Sequence, residues 1–116
     1  MNVLAAILMA SASLHITVWP NGADQAAKRS YTLSCGPTAG TLPYRASACT
    51  KLTRSTHPFA PTPKGVACTE LYGGPQEALV TGRFHGQVIR ARFSRKDGCE
   101  TARWNRIRFL FPGAAA

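Results

Sequence analysis

Four cysteines are the feature that most constrains the fold of this 116-residue chain: Cys35, Cys49, Cys68 and Cys99. An even number of cysteines in so short a chain is typical of a core reinforced by two disulfides in an oxidising compartment. A zinc site fits poorly, because no Cys-x-x-Cys or His-x-x-x-His spacing occurs and the closest two cysteines are 14 residues apart. Four cysteines allow three pairings, and counting alone does not choose among them.

The composition indicates one folded domain with a real hydrophobic core. Hydrophobic residues make up 45% of the chain and charged residues only 16%, which argues against disorder. A chain of this length suits a single domain in the size range where disulfides add markedly to stability.

Alternating hydrophobic residues predict mainly β-strands. Strands are expected at 14–19, 28–34, in a hairpin over 78–94 and at 106–111. Short helices are expected from Cys49 to about Arg54 and over 97–104, and the proline-containing segment 55–64 is expected to be an extended connector. The fold class is therefore α+β, with one antiparallel sheet of about five strands and two short helices on one face.

The first 12 residues form a separate apolar segment ahead of a domain expected at 13–116. This segment ends in Ala10, Ser11 and Ala12, the small-residue pattern of an export-signal cleavage site, although a basic start is missing. It is either the tail of an export signal or an apolar arm. It is too short to cross a bilayer, which takes about 20 residues, and no other segment is expected to do so.

One 18-residue stretch carries a resemblance to a known family. Its fixed positions are Cys35, Pro37, Gly40, Pro43, Ala48, Cys49 and Leu52. This order and spacing resembles the signature of the Streptomyces subtilisin inhibitor family, except that Leu42 stands where the family has His. The resemblance extends over roughly 14–111, nearly the whole chain.

The resemblance implies two disulfides, Cys35–Cys49 and Cys68–Cys99. It also implies the same architecture that the strand pattern predicts. In the family the second bridge pins a protease-binding loop, which here comprises Cys68, Thr69, Tyr72 and Gly73 together with the reactive bond.

The family's reactive bond lies two and three residues after the third cysteine, and here that position is Glu70–Leu71. Glu70 would then be the residue that enters the protease's specificity pocket. Two residues of this loop depart from the common pattern: Thr69 stands where Pro is common, and Glu70 stands where relatives more often carry Met, Lys or a Leu-like residue.

The resemblance implies a secreted, substrate-like inhibitor of serine endopeptidases, of subtilisin-like or glutamate-preferring type. Its partner would be a secreted serine protease, and the family is typically a homodimer through its sheet. No enzyme activity, cofactor or metal is expected. The three histidines are dispersed, the five acidic residues form no local pair, and no catalytic or phosphate-loop motif occurs.

The net charge of +9 supports a rival function. If strands 87–94 and 106–111 lay in one sheet, Arg90, Arg92, Arg106 and Arg108 would share its outward face. Such a face suits a basic module that binds nucleic acid or an anionic envelope without inhibiting a protease. No nucleic-acid recognition motif is present, so no specific nucleic acid is expected. A secreted structural module that has lost inhibition is a third reading.

Overall fold

The computed structural model describes residues 10–114, which form a five-stranded antiparallel sheet and two helices. The strands are β1 (Ala12–Trp19), β2 (Arg29–Cys35), β3 (Ala39–Gly40), β4 (Glu77–Phe84) and β5 (Gln87–Ser94), in the spatial order β3-β2-β1-β4-β5. The helices are α1 (Arg45–Arg54) and α2 (Gly98–Arg106), and a short 3₁₀ turn follows at Arg108–Leu110. The predicted fold class is confirmed.

Strand alternation directs one face of the sheet into the core. Along β1 the buried residues include Leu14, Ile16 and Val18, which alternate with the residues of the opposite face. Antiparallel pairing brings Leu14 opposite Leu33 of β2, and Ile16 opposite Val80 of β4. Since β1 lies between these two partners, its side chains form the middle of the core.

Both helices pack against that apolar face. α1 contributes buried Leu52, and α2 contributes Trp104, which is 1% exposed. The Trp104 ring lies 4.5 Å from the ring of Phe111, which in turn lies 5.6 Å from Phe93 of β5. This aromatic cluster joins the end of the chain to the sheet.

The first disulfide, Cys35–Cys49, joins the end of β2 to α1. Its Cα atoms are 5.6 Å apart, and both cysteines are buried. The bridge therefore closes the loop that holds β3 and the turn into α1, as the family resemblance implied.

The strand predicted at 106–111 is wrong. α2 extends to Arg106 and a 3₁₀ turn follows, so this segment is not a strand. The sheet has five strands because the two-residue β3, which was not predicted, is one of them. Ile107, Leu110 and Phe111 are the buried residues here, at the i, i+3, i+4 spacing of a helical turn, whereas Phe109 is only partly buried. The prediction that four arginines share one face of the sheet is therefore also wrong, because Arg106 and Arg108 lie outside the sheet.

Helix α1 also begins earlier than predicted. It starts at Arg45 rather than at Cys49, directly after Tyr44, whose left-handed backbone (φ 57°) turns the chain. The Ala48 amide donates to the Tyr44 carbonyl over 3.0 Å and so closes the first turn.

At the amino-terminal end, β1 begins at Ala12, so the last residue of the apolar segment is part of the sheet. Residues 1–9 lie outside the described residues, and the export-signal prediction stays a prediction. Among residues 10–114, no helix is long and apolar enough to cross a membrane.

Leu42, which stands at the family's His position, is fully buried, and its amide donates to the Thr32 carbonyl over 3.0 Å. Leu42→Ala should lower the free energy of unfolding by about 2–5 kcal/mol, because it leaves a cavity in the core. The matched control is Leu71→Ala, which removes the same atoms from a side chain that is 74% exposed and should change stability by less than about 0.5 kcal/mol. Denaturant unfolding measures both, and equal losses would contradict a core role for Leu42.

Candidate functional site

The segment between the connector and β4 forms an exposed loop without regular secondary structure. All five residues from Cys68 to Tyr72 are exposed, and the side chains of Leu71 and Tyr72 are 74% and 68% accessible. Leu71 and Tyr72 are thus two large side chains that lie next to each other on the loop and face solvent. The structure thus brings the sequence-predicted loop residues together on the protein surface.

The disulfide Cys68–Cys99 anchors this loop to α2. Its Cα atoms are 5.3 Å apart, and it joins residues separated by 31 positions. Cys99 lies in the first turn of α2, immediately after Gly98, so the bridge fixes the loop to the start of a helix. This pairing agrees with the one that the resemblance implied.

Two backbone hydrogen bonds flank the expected reactive bond. The Gly98 amide donates to the Thr69 carbonyl over 2.9 Å, and the Gly73 amide donates to the Arg95 carbonyl over 2.6 Å. The segment Glu70–Tyr72 therefore lies between two fixed points. Its three side chains remain free, because the restraints act on the backbone on either side.

Two glycines allow the loop to approach its support closely. A Cβ added to Gly98 would collide with the hydroxyl of Thr69. A Cβ added to Gly73 would lie 2.8 Å from the Thr101 hydroxyl and 3.1 Å from Nε of Arg95, closer than such atoms normally come. The loop backbone thus rests directly on α2 and on the residue that follows β5.

The support itself is organised by Arg103, a buried arginine of α2. Its Nε donates to the Ala60 carbonyl over 2.9 Å, and its NH1 group donates to the Arg92 carbonyl over 3.1 Å and to Oε1 of Glu100 over 2.7 Å. The guanidinium carbon lies 4.4 Å from the centre of the Phe93 ring. One side chain therefore connects the connector, β5 and α2.

Two further hydrogen bonds fix the start of α2. Oδ1 of Asp97 accepts the Glu100 amide over 2.8 Å, which caps the helix, and the Thr62 hydroxyl lies 3.4 Å from Oε2 of Glu100. The helix turn that carries Cys99 is thus held at its beginning and along its side.

The sulfur atoms of Cys68 and Cys99 lie within 4.8 Å of the Asp97 carboxylate, a grouping that resembles a metal site in its residue types. Both sulfurs are bonded to each other in the disulfide and offer no thiolate. The grouping is therefore part of the loop anchor and has no ligand set for zinc.

The sequence predicted the protease-binding loop, which stays a prediction, but three residues that support the loop in the structure were not predicted: Arg103, Gly98 and Asp97. A local signal existed for two of them. Asp97 followed three positions later by Glu100 is a helix-start pattern, and Glu100 with Arg103 is an i, i+3 pair on one helix face. The contacts of Arg103 with Ala60 and Arg92 join distant parts of the chain and have no local signal.

Comparison with known structures supports the same fold. This chain is similar to Streptomyces caespitosus sermetstatin, in its crystal structure in complex with Bacillus licheniformis subtilisin, with a TM-score of 0.54 and 18% sequence identity. The similarity covers 87% of this chain and 97% of the sermetstatin chain. No curated protein matches this chain by sequence.

A family comparison covers most of the chain. The family described as Subtilisin inhibitor-like matches residues 10–96, which include the Cys35–Cys49 bridge and the whole exposed loop. This is a family of protease inhibitors and not of enzymes. The cysteine frame, the anchored loop and this match together establish that the chain belongs to the subtilisin inhibitor-like family.

Proposed function

We propose that this protein inhibits secreted serine endopeptidases by presenting its loop as a substrate-like strand, with Glu70–Leu71 as the reactive bond. The observation that carries the proposal is the pair of backbone hydrogen bonds, at Thr69 and Gly73, that fix both sides of an exposed three-residue segment. A protease requires an accessible backbone and a free side chain at the bond it attacks, and this segment offers both.

Rigidity makes such a loop an inhibitor. A protease orders a flexible peptide at a cost in entropy, whereas a loop already held in its bound shape loses little more on binding. Here the restraints are the Cys68–Cys99 bridge and the two backbone hydrogen bonds. Binding is therefore favoured before any bond is cut.

The same restraints would oppose release after cleavage. If the bond between Glu70 and Leu71 is cut, the new carboxyl end is held through Thr69 and Cys68, and the new amino end through Gly73. Both ends stay close together, so religation competes with dissociation. Cleavage then proceeds slowly and yields a nicked inhibitor that is still bound.

Glu70 would determine which protease is bound. A carboxylate that enters an apolar pocket must lose its water, and an unpaired buried charge is costly. A pocket with cationic or strong hydrogen-bond donors offsets that cost. We therefore expect glutamate-preferring serine proteases to bind most tightly, subtilisin-like enzymes to be intermediate and chymotrypsin-like enzymes to be weakest.

Support for a secreted subtilisin-like target comes from family membership, from the two disulfides and from the subtilisin-bound sermetstatin. The rival hypothesis, a basic module without inhibition, is supported by the positive charge of the chain but does not account for the anchored loop.

The reactive-site assignment is tested by Glu70→Lys. The substitution should improve inhibition of a trypsin-like protease by about a hundredfold or more, because it supplies the positive charge that an acidic pocket binds. It should weaken inhibition of a glutamate-preferring protease. Inhibition constants for both enzymes measure the effect, and mass spectrometry of the slowly nicked complex should locate the cut at Glu70–Leu71.

Asp24→Lys is the matched control, since Asp24 is an exposed acid elsewhere and the change in net charge is the same. It should leave both inhibition constants within about threefold of wild type. If the two variants behave alike, Glu70 does not enter the pocket. Stable inhibition with a cut at another bond would move the reactive site.

The role of loop rigidity is tested by Gly98→Ala. Alanine is the better helix former, so α2 should not suffer, but the new methyl group collides with the Thr69 hydroxyl and displaces the loop. We expect inhibition to weaken about tenfold or more and the loop to be cut faster, with the inhibition constant and the nicking rate as measurements.

A second substitution should rescue this variant. Thr69→Ala in the Gly98→Ala background removes the colliding hydroxyl and should recover most of the inhibition, and Thr69→Ala alone is the control. If the double variant is no better than Gly98→Ala, the close approach of these two residues does not position the loop.

A further inference from the structure

A cleft lies where the connector after α1 meets the hairpin end of β4 and β5. It is lined by residues 56–60 of the connector and by Phe84, His85, Gln87 and Ile89 of the hairpin, and we call it the hairpin cleft. Its volume is about 390 Å³, which falls within the range of small-molecule sites in proteins. None of its lining residues belongs to the protease-binding loop.

The lining of the hairpin cleft is largely apolar and aromatic. Phe59 and Phe84 are each 8% exposed, and their rings meet edge to face with centres 5.4 Å apart. The ring of His85 lies 4.1 Å from the ring of Phe84, and Ile89 is a partly buried side chain of the same lining. Rings that are already arranged edge to face favour a further ring beside them. The cleft therefore suits the aromatic part of a ligand.

Both sides of the hairpin cleft are held by backbone hydrogen bonds. On the connector, the Ala60 amide donates to the His57 carbonyl over 3.3 Å, and the Ala60 carbonyl accepts Nε of Arg103 over 2.9 Å. On the hairpin, the His85 amide donates to the Ser11 carbonyl over 2.9 Å. A ligand that enters a site already held in shape loses little of its binding energy to ordering the protein.

A second cleft, of about 280 Å³, lies beside the first and is basic. It is lined by Arg54, Arg106 and residues 55–58, and it shares the segment 56–58 with the hairpin cleft. Arg54 is the last residue of α1 and Arg106 the last residue of α2. In the part of the chain that the structure describes, the one ion pair involves neither arginine. Two guanidinium groups therefore adjoin the aromatic cleft without an acidic partner.

The surroundings of these arginines favour a single negative charge. The fork of an arginine matches the two oxygens of a carboxylate. Both arginines stand at the carboxyl ends of helices, where a partial negative charge opposes a doubly charged phosphate. At α1 this opposition is reduced, because the Ser55 amide donates to the Leu52 carbonyl over 3.1 Å and its hydroxyl donates to the Lys51 carbonyl over 3.0 Å. A carboxylate is therefore the better anionic group.

We propose that the two clefts together bind a small aromatic carboxylic acid, with the ring in the hairpin cleft and the carboxylate against Arg54 and Arg106. This ligand alone uses both clefts: a neutral aromatic molecule would use only the first, and a simple anion only the second. Binding here is distinct from the proposed inhibition of a protease, because the two sites share no residue.

The proposal is tested by titrating the protein with 3-phenylpropionate, with 3-phenylpropan-1-ol and with propionate, followed by NMR of the histidine rings. The acid should bind about tenfold or more tightly than the alcohol, which lacks the charge, and than propionate, which lacks the ring. It should shift the signals of His57 and His85 but not those of His15, which is exposed on the opposite face of the sheet. Equal affinity for the acid and either partial ligand, or equal shifts at His15, would overturn the proposal.

Two double variants of equal charge separate the basic cleft from net charge. Arg54→Gln with Arg106→Gln should weaken binding of 3-phenylpropionate about tenfold and leave binding of the alcohol within about threefold of wild type. Lys64→Gln with Lys96→Gln removes the same charge from exposed residues that line neither cleft, and should leave both affinities within about threefold.

Thermal unfolding midpoints equal to that of wild type confirm that both double variants fold, and the single variants Arg54→Gln and Arg106→Gln give the same comparison if the first pair does not. Equal losses of affinity for the acid in the two pairs would overturn the proposal. Inhibition of a protease is measured separately on the same variants, and its outcome has no bearing on this site.

Discussion

The buried guanidinium of Arg103 is the interaction on which the position of the loop depends. Taking a charge out of water is costly, and here the cost is met by Glu100, by two backbone carbonyls and by the face of Phe93. These partners come from the connector, β5 and α2, so the side chain fixes the helix against the sheet. Because Cys99 and Gly98 lie at the start of α2, the disulfide and the hydrogen bond that they make to the loop are positioned by the same contacts.

A substrate-like loop must be both exposed and rigid, and those demands usually conflict, because burial is the common source of rigidity. In this protein the rigidity comes from the backbone and from one disulfide, while Glu70, Leu71 and Tyr72 face solvent. If Glu70 is the specificity residue, as we propose, its identity can change without disturbing the core. That would account for a Glu at this position in a chain that keeps the fold of the family.

Sequence reasoning succeeded where a pattern is local or where the family resemblance supplied it. The alternation of hydrophobic and polar residues predicted β1 and the hairpin of β4 and β5, and the family resemblance implied the two disulfide pairings. It failed at Ile107, Phe109 and Phe111, because apolar residues two apart suggest a strand, while the helical positions Ile107, Leu110 and Phe111 are the ones that are buried. The two-residue β3 is too short for any pattern, and the contacts of Arg103 with Ala60 and Arg92 join parts of the chain that are distant in sequence.

The charges of the chain bear on which protease the proposed reactive bond would suit. With a net charge of +9, the protein attracts partners with an acidic surface and repels basic ones before any contact forms. Glu70, the residue that would enter the specificity pocket, carries a negative charge in this positively charged protein. The pocket of the protease would therefore need a cationic group to pair with it. Long-range attraction governs the rate of association, and the local match governs the lifetime of the complex. If Glu70–Leu71 is the reactive bond, as we propose, a protease with an acidic surface around a cationic pocket would satisfy both requirements, and this is a narrower class of protease than either requirement defines alone.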